Sequence, residues 1–204
     1  MRLGSSRSLV QYWDGLRAGR LAPQRCEIEP ADIATLLPVT FILDCSDASG
    51  YWFRLAGTSI CEQLGRELRG VELRQLVDPS DQRAMQKLLE SVTTKGGVGT
   101  VRLEATCSQG REVAFEMVVM PVIHASRSVN RLLGSLSAID HPIWLGSAAI
   151  SPFRITAMDL EQAARTSPAS GFPRIEADGQ SEIAGAIVDD GVRKFRVYEG
   201  GRSQ

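Results

Sequence analysis

Apolar residues recur three and four positions apart near the start of the chain and every second position in its middle, and this change of period separates helices from strands. In SRSLVQYWDGLRA, Leu9, Trp13 and Leu16 fall at i, i+4 and i+7 behind a serine able to cap, which predicts a short amphipathic helix over residues 6–18. LAPQRCEIEPADIATLLP then crosses in extended form to a helical turn that opens on Pro30 and stops before Pro38. VTFILD and YWFRLA are apolar runs of strand length on either side of the turn-rich CSDASG, a hairpin pattern. Short helices over TSICEQLG and VELRQLV follow, punctuated by Gly65 and Gly70.

DPSDQRAMQKLLESVTTKGG has the plainest helical period. Asp78 or Ser80 caps it, Met85, Leu88, Leu89 and Val92 form one face, and Gly96 and Gly97 end it. GTVRLEATC then alternates, with Val101, Leu103, Ala105 and Cys107 on one side and Arg102, Glu104 and Thr106 on the other. SQG turns the chain into REVAFEMVVMPVI, which alternates from Val113 through Phe115 and Met117 to Val119, and RLLGSLSAID supplies another strand. The order leaves no room for βαβ repeats, so an α+β fold with a mainly antiparallel sheet and helices gathered on one side is expected. PFRITAMDL and VRKFRVYEG each suit a short strand around a Pro-, Gly- and Ser-rich stretch at residues 168–182, and the latter is expected to pair with the former or to lie on the core.

Charge narrows the function classes. The 23 Lys and Arg are matched by 24 Asp and Glu, for a net charge of −1, and the balance is as even before residue 140 as after it. Nothing here is built to hold a polyanion, so neither nucleic acid nor a bulk membrane surface is an expected partner. The N-terminus lacks the apolar core of a signal peptide, and a cytoplasmic location is expected. Cys26, Cys45, Cys61 and Cys107 are widely spaced with no CxxC pair, which suits reduced thiols. His124 and His141 are the two histidines, neither in a catalytic or metal-binding phrase, and KGGVG lacks the Lys-Ser/Thr ending of a phosphate loop. Neither a catalytic residue nor a metal site is expected.

The element order, with the phrases YWDGLRAGRLAPQR, DIATLLPVTFILD, FRLAGTSICEQLGRELRG and RKFRVYEGGR, resembles the PAS domain family, in particular the small standalone bacterial PAS proteins. The resemblance implies a five-stranded antiparallel sheet with short helices on one side, flanked by an N-terminal helical segment (1–37) and a C-terminal extension (142–204) around a core of 38–141. It also implies a role in bacterial signal transduction. Haem would need a histidine on or near the long helix, and a flavin photoreceptor an N-C-R-F-L-Q phrase around its cysteine; the sequence has neither, and no cofactor is expected.

Candidate residues for a ligand cavity or a structural clamp are Phe53, Arg54, Gly57, Cys61, Met85, Phe115 and Met117. Arg54 is the odd charge in an apolar strand. It reads either as an ion-pair clamp to Glu62 or Glu67 or as an anion contact for a ligand. Gly57 is expected to turn a strained corner, after which Thr58 or Ser59 caps the next helix. Arg66, Arg69 and Arg74 cluster where a phosphate or a cyclic dinucleotide could be met, but Glu62, Glu67 and Glu72 alternate with them, which reads as an exposed, salt-laced face. Leu9, Trp13 and Leu16 form either a homodimer contact or a cap over the chain's own sheet. Two functions follow: a noncatalytic adaptor acting by dimerisation and docking to an unidentified signalling protein, or a sensor binding a small ligand in the PAS cavity.

Overall fold

The computed structural model describes residues 1, 3–46, 50–125 and 128–162. The closing phrase VRKFRVYEG, its expected pairing and the loop before it lie outside the described residues.

Helix α1 (Gly4–Arg17) is followed by single 3-10 turns at Arg25–Glu27, Pro30–Ile33 and Leu37–Val39. Strands β1 (Thr40–Asp44) and β2 (Trp52–Ala56) form the expected antiparallel hairpin. Next come helix α2 (Thr58–Leu64), a 3-10 turn at Leu73–Leu76 where a helix was expected, and helix α3 (Gln82–Lys95). Strands β3 (Val98–Thr106), β4 (Glu112–Ile123) and β5 (Val129–Ala138) follow as sequential antiparallel neighbours.

The sheet has one strand more than the five expected. Strand β6 (Arg154–Glu161) pairs with β3 in antiparallel register, giving the order β2-β1-β5-β4-β3-β6. It therefore extends the sheet instead of standing apart from it. Asp81 pins it: its carboxylate accepts from the Ile155 amide at 2.9 Å and from Arg154 Nε at 3.1 Å. That carboxylate sits at the start of α3 but makes no cap bond there, and Asp78 instead accepts from the amide and hydroxyl of Ser80.

Alternation along β3 and β4 sends two sets of side chains to two separate cores. On the inner face Phe41, Phe53, Leu103, Phe115 and Met117 pack against Ile60 of α2 and the Met85, Leu88, Leu89 and Val92 stripe of α3. The rings of Phe41 and Phe53 meet edge to face at 5.5 Å, as do those of Phe115 and Phe153 at 5.0 Å, the arrangement that aromatic quadrupoles favour. On the outer face Val118, Met120, Val122 and Leu133 receive Leu9 and Trp13 of α1 with Ile28 and Ile33. β4 is thus covered on both sides, and the helices are not all on one side of the sheet.

This settles where the α1 stripe goes. Leu9 is 0% and Trp13 1% exposed within a single chain, and the Trp13 indole N–H donates to the Pro121 carbonyl at 2.8 Å. The two side chains cap the sheet, so the dimer contact expected through them is corrected; Leu16 is half-buried beside them.

Gly57 is also corrected. Its φ of −66° and ψ of 154° are open to any residue, so no strained angle requires glycine there. Space does: a β-carbon would fall on the carbonyls of Leu37 and Pro38. Gly57 is itself the N-cap of α2, and neither Thr58 nor Ser59 caps it with a side chain. The left-handed stop at Gly65 (φ 65°) is as the sequence suggests.

Candidate functional site

Residues between β1 and β2, the 3-10 turn at Leu73–Leu76 with Glu72 before it, and one flank of α3 line a cavity of about 290 Å³. Its apolar wall is Met85 and Leu89, which reach it because α3 turns its buried stripe toward the sheet. Cys45 and Tyr51 close one side, Glu72 and Arg74 another, and Gln86, Glu90 and Thr93 line the rest with Gln82 and Gly50. Gly50 matters by its smallness, since a β-carbon would stand 2.6 Å from Glu72 Oε1.

The polar groups are already satisfied in part. The buried Glu72 carboxylate accepts from Arg74 Nη2 at 3.1 Å, and Gln86 Nε2 donates to Glu90 Oε1 at 2.9 Å. Burial raises the Tyr51 hydroxyl above its usual pKa, only partly offset by its hydrogen bond with Thr93. Burial, reinforced by the negative Asp44 beside it, pushes the Cys45 thiol up to about 11. Both groups are protonated near neutral pH and so supply neither a thiolate nor a phenolate. The cavity offers an apolar wall, a hydroxyl and an ion pair, which suits holding a compact molecule with one polar end.

A direct consequence concerns thiol chemistry. Iodoacetamide at pH 7.5 should label the exposed Cys26 first and Cys45 much more slowly, because the thiolate is the reacting form. Peptide mapping over time checks this, and equal rates would contradict the protonated, buried state assigned to Cys45.

The expected cavity residues do not assemble into one site. Met85 lines this cavity, whereas Phe53, Phe115 and Met117 fill the inner core and Gly57 stands at the corner before α2. Cys61 is half-buried on α2, with its thiol held protonated chiefly by burial and lying 3.7 Å from Glu67 Oε1. Arg54 is elsewhere altogether. Phe53 pairs with Leu43 and Leu55 with Ile42, so Arg54 is the extra residue of a β-bulge, exposed on the outer side of β2. Its expected ion pair with Glu62 or Glu67 is not formed among the described residues. Glu67 instead accepts from the amides of Leu68 and Arg69, which lowers its pKa, and from the Cys61 thiol. Tyr51, Glu72 and Thr93 were missed as wall residues; their one sequence signal is Gly50-Tyr51 closing a turn rich in small residues.

Among the described residues no cluster of His, Cys, Asp and Glu is placed to hold a metal ion, and no helix is long and apolar enough to cross a membrane.

Known proteins place the chain by family. No curated protein matches it. Among solved structures, a LOV protein from Rhodobacter sphaeroides is 13% identical over 57% of this chain and 71% of its own, with a TM-score of 0.43. The PAS domain of a Colwellia psychrerythraea protein is 14% identical over 53% of this chain and 95% of its own, with a TM-score of 0.41. The PAS domain profile matches residues 1–137, which include α1 and every element through β5 except the last residue of that strand. A match of that extent identifies a sensing or interaction module of signal transduction: the chain belongs to the PAS domain family.

Proposed function

We propose that the protein is a noncatalytic adaptor of bacterial signal transduction, acting in the cytoplasm by docking to a partner protein and by forming a homodimer. The observation that carries this reading is the packing between sheet and helices. Phe41, Phe53, Phe115 and Met117 occupy the centre of the inner face with almost no exposure, so the middle of the fold holds side chains in the place where an enclosed ligand would sit. A module filled in this way acts through its surface. The homodimer in this proposal does not use Leu9 and Trp13, which are consumed within one chain.

A second reading, a small-molecule sensor, is favoured by the cavity of about 290 Å³ at the edge of α3. Native mass spectrometry of freshly purified protein separates the two. The adaptor reading expects the bare chain and twice its mass. A stoichiometric small-molecule mass that is lost on denaturation would overturn it in favour of the sensor, and a purely monomeric spectrum would remove the dimer from the proposal.

A further inference from the structure

The outer face of the sheet carries a second groove, of about 300 Å³, and its chemistry is opposite to that of a packed core. Arg25, Arg54, Arg69 and Arg131 converge on it from four separate parts of the chain, with His124 beside them, around an apolar floor of Ile42 and Leu55. The β2 bulge creates this arrangement: by inserting Arg54 it leaves Leu55 opposite Ile42 and Trp52 opposite Asp44, so both apolar side chains share the outer face. Leu55 is 46% and Trp52 36% exposed.

The positive charge is only partly neutralised. Arg131 is committed: it pairs with Asp44 and donates to the Ser46 hydroxyl at 2.7 Å. Arg25 donates to the Ile28 carbonyl at 3.2 Å. Arg54 and Arg69 make no side-chain hydrogen bond or salt bridge among the described residues; Asp44 and Glu67 are the carboxylates whose pKa they help to lower. Among the described residues that line the groove, four carry guanidinium groups and none a carboxylate, on a chain whose net charge is −1.

From this we infer that the groove is the docking site for an acidic segment of a partner protein, one that carries leucine or phenylalanine between its carboxylates. Guanidinium groups match carboxylates in geometry, and exposed leucine and tryptophan beside them match apolar side chains on the same segment. The exposure of Arg54 and Arg69 suits an extended peptide better than a small free anion, which is held by buried, converging donors. The inference rests on the docking reading above and names its partner by chemistry.

The test is fluorescence anisotropy of the whole protein with a labelled 12-residue peptide that alternates Glu with Leu and Phe, in about 100 mM salt. Saturable binding is expected, at least tenfold weaker for the same peptide with Gln in place of Glu, and at least tenfold weaker for the R54Q/R69Q double variant. Because both arginines are exposed, the double variant should keep the wild-type melting curve; should it not, the single R69Q variant carries the comparison, with at least threefold weakening expected. Absence of saturable binding overturns the proposal, as does undiminished binding by the variants. Tighter binding of a 12-nucleotide RNA or of pyrophosphate than of the peptide also overturns it, in favour of a nucleic-acid or small-anion site. The mass-spectrometric result judges ligand-free docking as a function, whereas this titration judges the groove alone, so either can fail without the other.

Discussion

Replacing Gly57 by valine is expected to lower the melting temperature by about 10 °C, through a loss of about 3 kcal/mol. The cause is proximity to main chain. A β-carbon at Gly57 would overlap the carbonyls of Leu37 and Pro38, and these atoms cannot swing away as the end of a side chain can. The Gly57 amide also donates to the Thr40 carbonyl at 2.8 Å, so moving the glycine breaks the join between the first residue of β1 and the end of β2. Alanine is the sharper probe. It tolerates the observed φ and ψ without penalty, so any loss it causes is steric and not conformational. Calorimetry on both variants checks this; a Gly57→Ala protein that melts with the wild type would show that the two carbonyls do not approach as described.

Trp13→Ala is expected to cost more, about 3–5 kcal/mol, a large share of the 5–15 kcal/mol that holds a typical domain together. The indole is buried against β4, its N–H bonded to Pro121, and the Arg17 guanidinium covers its ring at 5.2 Å. Alanine would leave a cavity under α1 and an unpaired carbonyl beneath it. Urea unfolding should show a lower midpoint, and removal of residues 1–19 should give an aggregating protein, because Met120, Val122 and Leu133 would then face water. Were α1 a dimer contact instead, Trp13→Ala would yield a monomer of undiminished stability, which light scattering would detect.

Much of this architecture was legible because one-sided burial leaves a period in the sequence. The Met85–Val92 stripe and the alternation from Val101 to Cys107 identified α3 and β3, and both faces went where the pattern put them. A stripe states that a face is buried without saying against what. Leu9 and Trp13 therefore read equally well as a contact between chains or within one, and only the second apolar set on β4, Val118, Met120 and Val122, decides it. Strand β6 escaped inclusion in the core for the opposite reason: Arg154, Thr156, Ala157, Met158 and Asp159 are exposed, so its place is fixed by main-chain pairing with β3 and leaves little periodicity. The side of the sheet that Arg54 faces is not legible in YWFRLA, because a single inserted residue changes which side a strand presents. The cavity near α3 was hidden because its wall combines Cys45 and Tyr51 with residues some twenty to fifty positions later, and only the folded chain brings them together.

The seat of α1 also sets an order of events during synthesis. Trp13 and its acceptor Pro121 are 108 residues apart, so at about 5–20 residues per second the ribosome releases the helix some 5–20 s before the strand that receives it. Throughout that interval Leu9 and Trp13 have no native surface to cover. An apolar stripe is thus made well before the strand that covers it, and the docking of α1 waits on the outer faces of β4 and β5.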